Sequence, residues 1–146
     1  MDEVVELSVD ECRELLRGDV VGRVAFTTPR GPRIVPVNYV VREGVLEVRT
    51  TSYSELATYA PGASVAFEVD HLDRERMRGW SVIVLGRCER VLDQSAAVFE
   101  QPGDGPRPWA GGHRSMLLRI HAEEVTGRRV GSEHWPHPVV PGPHEG

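Results

Sequence analysis

The feature that most constrains this chain is the close succession of β-rich runs between Val21 and Thr50. Residues 21–27 form the first run and end at Pro29-Arg30-Gly31-Pro32, a dense turn signal. Residues 34–41 form a second, almost wholly apolar run. Arg42-Glu43-Gly44 then turns the chain into residues 45–50, which alternate apolar and polar. Parallel neighbours need a crossover of about a dozen residues or more, so connections this short predict antiparallel pairing. Pro36 sits inside the second run and has no N–H to give a ladder, which predicts an edge or a bulge there.

The flanking segments complete a β-dominated α+β domain. Ser8 and Glu11 have the spacing of a capping box ahead of a helix over 9–17, with Leu7 as staple, Cys12, Leu15 and Leu16 as apolar stripe and Gly18 as C′ stop. A second box at Ser52 and Glu55 predicts a short helix over 52–60, ended by Pro61-Gly62. Strands follow at 64–70, 81–93 and 116–125, with a charged loop at 71–79, a helical turn at 94–100 and a Pro/Gly-rich loop at 101–112 that holds Trp109. About six antiparallel strands with short peripheral helices suggest closure into a barrel, which removes exposed edges. The domain is expected over 1–130. Residues 131–146, with prolines at 136, 138, 141 and 143, read as an extended or disordered tail.

Composition narrows the function classes. The net charge is −5 and no Lys occurs, so the cationic footprint of a nucleic-acid binder is missing. No apolar stretch is long enough for a membrane span, and an acidic Met1-Asp2-Glu3 start argues against a secretory signal. A cytoplasmic protein with reduced thiols is expected, although Cys12 and Cys88 leave a single bridge open. No metal site is expected: Pro136 between His134 and His137 breaks any helical His face, and His144 lies further along the tail. Neither a GxSxG elbow nor a P-loop occurs, and no residue is assigned as catalytic.

The candidate site residues cluster in three places. The ladder break at Pro36 exposes backbone polar groups of the Pro36-Val37-Asn38 stretch to a ligand. Arg49-Thr50-Thr51-Ser52 runs from a strand end into a helix start and offers a guanidinium and three hydroxyls, ingredients of a phosphate site. Trp80, followed by Ser81, stands at a strand entrance where it could cover a planar cofactor. The bland alternatives are a solvated arginine, a helix cap and a core tryptophan.

Taken in order, Val21-Gly22-Arg23-Val24, Pro36-Val37-Asn38-Tyr39, Val48-Arg49-Thr50, Val65-Ala66-Phe67-Glu68, Gly79-Trp80-Ser81-Val82, Gly86-Arg87 and Val125-Thr126-Gly127-Arg128 resemble short bacterial members of the pyridoxamine 5′-phosphate oxidase-like family over residues 7–130. The resemblance implies a split β-barrel, a homodimer and FMN at the subunit interface. It sets Pro36, Val37 and Asn38 along the isoalloxazine, Arg49 and Thr50 at the ribityl phosphate, and Trp80 and Ser81 at the border of the site. A deazaflavin coenzyme in the same cleft, or a binding protein without catalysis or cofactor, are the alternatives. One departure stands out: where FMN-binding relatives carry a Ser-Lys-Leu-like element, this chain has Ser54-Glu55-Leu56, a carboxylate for an ammonium. Pyridoxamine phosphate oxidation itself would need a second basic cluster for the substrate phosphate, and none is visible along the sequence.

Overall fold

The computed structural model describes residues 3–92 and 115–131. The helical turn expected at 94–100, the loop with Trp109 and His113, and the tail histidines lie outside them. In chain order the elements are β1 (Glu3–Glu6), α1 (Val9–Arg17), β2 (Val21–Thr28), β3 (Gly31–Arg42), β4 (Val45–Thr51), α2 (Glu55–Tyr59), β5 (Ser64–Asp73), β6 (Arg78–Arg90) and β7 (Ser115–Gly131). The sheet order is β1-β7-β4-β3-β2-β5-β6, and a further β6–β7 pairing closes it into a ring. Every pairing is antiparallel.

The local turn chemistry explains the tight path. Glu43 and Gly44 both take positive φ, 53° and 79°, between Arg42 and its partner Val45, as a two-residue primed turn requires. Between Thr28 and Gly31, the Thr28 hydroxyl donates to the Gly31 carbonyl at 2.8 Å and accepts the Arg30 N–H at 3.2 Å. The short connections thus pair consecutive strands, and alternate residues of each strand face the interior. Val24 and Phe26 of β2, Tyr39 of β3, Val48 of β4, Phe67 of β5 and Val82 of β6 meet there, all nearly sealed from solvent. Phe67 and Tyr39 cross edge to face with ring centroids 4.7 Å apart, and full burial of one such ring contributes about 1.5–3 kcal/mol.

Helix α1 covers the interior with Cys12, Leu15 and Leu16. Its predicted capping box is present: Ser8 Oγ accepts the Glu11 N–H at 3.2 Å, and the Glu11 carboxylate reaches back to the Ser8 N–H at 3.4 Å. Leu7 packs against the core, and its N–H donates to the Gly127 carbonyl at 2.9 Å. Gly18 ends the helix at φ −85°, not in the left-handed form expected of a C′ glycine, so the helix stops without needing its conformational freedom. Buried inside, the Tyr39 hydroxyl donates to the Leu16 carbonyl and ties α1 to β3.

The structure corrects several sequence expectations. There are seven described strands, because Glu3–Glu6 adds to the far end of β7. The last strand runs to Gly131, since β6 pairs with it as far as Val130. The charged 71–79 segment is mostly ladder: β5 and β6 continue to Asp73↔Arg78, leaving a four-residue tip. The Ser52–Glu55 capping box does not form. Ser54 is the N-cap, its hydroxyl accepting the Ala57 N–H at 3.0 Å, and α2 is only Glu55–Tyr59. Two serines competed for one cap, and Ser54 took it because the Thr51 carbonyl accepts the Ser54 N–H and turns the chain there. Cys12 and Cys88 are both free and buried.

Candidate functional site

One wall of the barrel opens into a fork. The β3–β4 ladder runs only from Arg42↔Val45 to Tyr39↔Val48. Extending that register would set Asn38 against Arg49 and Pro36 against Thr51. Instead β3 stays with β2 down to Gly31↔Thr28, while β4 stays with β7 up to Thr51↔Ser115. Pro36 lies inside the fork, three residues beyond the last β3–β4 pair. The Tyr39 N–H donates to the Val20 carbonyl, so odd-numbered N–H groups of β3 face β2 and the missing N–H of Pro36 lies on the fork side. A proline costs the barrel nothing at that position and prevents a full β3–β4 ladder.

The lips of the fork carry most of the predicted site residues. On β3, Pro36 is exposed and Asn38 half-buried on the outer side, whereas Val37 is buried in the core. On β4, Arg49 and Thr51 share the outer side and are half-buried, opposite in facing to core residue Val48. Thr50 shares the inner side, and its hydroxyl lies 2.8 Å from the Ser54 hydroxyl. Thr50 and Ser54 are therefore engaged in holding the β4–α2 turn, while Ser52 is exposed just beyond it. Of the expected phosphate group, Arg49, Thr51 and Ser52 are the members not already committed to the cap.

Glu55 has a partner. Its carboxylate lies 3.6 Å from Arg33 Nε of β3, joining α2 to the opposite lip. Neither residue is buried, so the pair is weak, but it directs the Glu55 charge to Arg33. The departure at this position thus places a balanced ion pair, not an isolated carboxylate, beside the fork. Nothing in the sequence separated Arg33 from an ordinary strand-face arginine; only the fork brings it across from Glu55.

Trp80 and Ser81 stand apart from the fork within one chain. Both are on β6, which β2 and β5 separate from β3, and β7 separates from β4. Trp80 packs on the core and stacks with His71, ring centroids 6.3 Å apart. Ser81 faces outward, paired with Asp70 and Arg128 in the neighbouring strands.

Two charged clusters occupy the outer wall. Arg23 donates from Nε to Glu68 at 3.1 Å and from Nη2 to Asp70 at 3.0 Å, across the β2–β5 seam. Burial pushes the Glu68 carboxyl above its ordinary value; Arg23 pulls it down and the neighbouring Asp70 pushes it up again. The second cluster centres on Glu47, a polar position of the alternating β4 run. It is 2% exposed, with Arg42 and Arg119 each 3.6 Å from one of its oxygens. Arg42 precedes a turn and Arg119 lies in the last strand, so this Arg–Glu–Arg cluster exists only because β7 returns beside β4.

A closed antiparallel barrel whose wall divides into a fork of this kind is a split β-barrel. The chain belongs to the pyridoxamine 5′-phosphate oxidase family, whose sequence profile matches residues 8–129. An uncharacterised protein of Mycobacterium tuberculosis is 37% identical over 134 residues, spanning 88% of this chain and 86% of the relative. The structure is similar to that of a FAD-binding protein from Mycobacterium smegmatis, with a TM-score of 0.68, 31% identity, and 87% of this chain and 98% of that one covered. It also resembles a candidate pyridoxamine 5′-phosphate oxidase from Corynebacterium glutamicum, with a TM-score of 0.75, 27% identity and coverage of 89% and 100%. Among the described residues, no helix is long and apolar enough to cross a membrane, and no His/Cys/Asp/Glu cluster could hold a metal ion.

Proposed function

We propose that this chain binds a flavin nucleotide, FMN by the family pattern, at the β3–β4 fork and acts as a flavin-dependent oxidoreductase. The observation that carries the reading is the fork itself: a ladder that ends at Tyr39↔Val48 with Pro36 just beyond on one lip, and the half-buried Arg49 guanidinium and the Thr51 hydroxyl on the facing lip. These residues fit the group. A guanidinium suits a phosphoryl oxygen through charge-assisted hydrogen bonds, and strand edges suit the polar rim of a flat ring. The FAD-binding protein of Mycobacterium smegmatis, similar along most of its length, supports a flavin and leaves FAD as the competing nucleotide.

A bound flavin supplies electron transfer; the chain supplies binding and orientation. Arg49, Thr51 and Ser52 hold the phosphoryl end, and Pro36–Asn38 orient the ring. Arg33 keeps the Glu55 carboxylate turned from the anion. No side chain is assigned as an acid or base.

The working unit in this reading is a homodimer. Ile34, Ala25, Ala66 and Leu85 form one row across β3, β2, β5 and β6 on the outer wall, with Ile34 70% and Leu85 43% exposed. An apolar row of this kind fits a two-fold interface. A second copy is also the means by which Trp80 and Ser81 would border a site from which they are separated within one chain.

Absorbance and fluorescence titrations with FMN, FAD, riboflavin, haem and a deazaflavin coenzyme test the proposal. Saturable flavin binding is expected, with Arg49→Ala weakening FMN by about 1.5–3 kcal/mol and riboflavin far less. Equal losses for both ligands would remove Arg49 from the phosphate. Uptake of the deazaflavin coenzyme alone would favour a deazaflavin-dependent reductase, and uptake of none a protein without cofactor. Sedimentation of a monomer at micromolar concentration would overturn the dimer.

A further inference from the structure

The barrel has a second interruption, remote in connectivity from the β3–β4 fork. On one edge β7 pairs with β6 almost throughout, but on the other edge β4 stops at Ile120 and β1 begins at Arg128. Over 121–127 that edge has no strand beside it among the described residues. The β6–β7 ladder is also irregular here, shifting register between Leu85 and Gly86. Helix α1 crosses the interruption without filling it. Between its C-terminal half and the β3–β4 turn a cleft of about 450 Å³ remains, within the size range of small-molecule sites.

The lining is divided in character. Leu46, Val84 and Val125 form an apolar floor continuous with the core, while Arg13 and Arg17, one helical turn apart, form a wall. Spacing i, i+4 puts both guanidiniums on one helix face. Among the described residues no carboxylate lies within 4.0 Å of either guanidinium. His121 also lines the cleft, its Nε2 2.8 Å from a Glu89 carboxylate oxygen, and Glu43 of the β3–β4 turn adds a carboxylate to the lining. In a chain of net charge −5, this opening therefore sets two guanidiniums with no carboxylate within 4.0 Å among the described residues over an apolar floor, with Glu43 on the opposite side at the β3–β4 turn.

We propose that this cleft binds a small amphipathic anion, a carboxylate or sulfonate on an apolar body, with the charged head at Arg13 and Arg17 and the body over Leu46, Val84 and Val125. Charge complementarity chooses the head, and the floor chooses the body: a simple inorganic anion would leave the floor wet, and a neutral alkane would leave the guanidiniums unused. The site is independent of flavin binding, since none of its residues is on the lips of the fork.

Calorimetric titration of the full chain with octanoate, acetate and 1-octanol tests it. Octanoate should bind saturably at one per chain and more tightly than either acetate or 1-octanol. Arg13→Gln with Arg17→Gln should weaken octanoate at least about tenfold, or about 1.4 kcal/mol, and leave 1-octanol unchanged. Ala122→Trp, at an exposed lining position, should block octanoate while retaining the wild-type melting temperature. Octanoate binding that survives either variant, or no saturable binding by the wild type, would overturn the proposal.

Discussion

Glu55→Lys separates the two roles open to the residue beside the fork. In the wild type its carboxylate lies 3.6 Å from Arg33 Nε, with the side chains 55% and 37% exposed. Two unit charges at that distance interact by about 1 kcal/mol in a water-like dielectric, and exposed pairs contribute about 0–1 kcal/mol in practice. Lysine replaces that attraction with a repulsion and puts a cation in the first turn of α2, an opposition worth about 0.3 kcal/mol at the low end. The cap survives, because it rests on Ser54 and not on Glu55. The protein without flavin should therefore lose only about 1 kcal/mol, a fall of about 3 °C in melting temperature. FMN affinity should move the other way, rising at least about tenfold, or about 1.4 kcal/mol, as a positive pair faces the phosphate. Thermal melts and parallel fluorescence titrations with FMN and riboflavin read both effects. If FMN affinity stays constant while stability falls, Glu55 serves only its pair with Arg33. If riboflavin gains as much as FMN, the fork does not hold a phosphate.

Three further expectations concern the scaffold. At Gly22 a Cβ would lie 2.6 Å from Phe67 Cε2 and 2.9 Å from the Glu68 carbonyl oxygen, so Gly22→Ala should cost about 1–3 kcal/mol by overpacking, read in urea melts; unchanged stability would mean that the Phe67 ring can move aside. The Glu68 carboxyl is raised in the folded state, chiefly by burial, so the native protein binds more protons than the unfolded chain. Stability should fall as pH rises from the ordinary value of 4.5 through the raised one, and Glu68→Gln should flatten that slope in melting-temperature profiles; an unaltered profile would rule out the group. Burial pushes the Cys88 thiol up to about 11 and, with Glu11 nearby, raises Cys12 as well, so neither should react with a disulfide reagent at pH 8 until denaturant is added. Rapid native labelling would contradict the packing of α1 or of β6.

Local chemistry was readable because it needs only neighbours. The Ser8–Glu11 box, the Glu43-Gly44 turn and the antiparallel order of β2, β3 and β4 follow from residue types at fixed short spacings, and each is found where the spacing predicts. Pro36 announced its own ladder break, since the missing N–H is a property of the residue itself. Where two local solutions competed, as with Ser52 and Ser54, spacing alone chose wrongly, because the decision lay in the Thr51 carbonyl that turns the chain. Long-range pairings were not readable. Alternation showed that Glu47 and Val48 face opposite sides, but not that the outer side would be closed over Glu47 by Arg42 and Arg119. The same holds for Arg33 and Glu55, and for the distance in connectivity between Trp80 and the fork. The sequence by itself determined six of the seven described strands in outline and the residue, Pro36, that cannot complete a ladder. Only the closure of β6 on β7 decided which faces meet, because a barrel's register depends on pairings between residues far apart in the chain, each selected by burial shared across the whole ring.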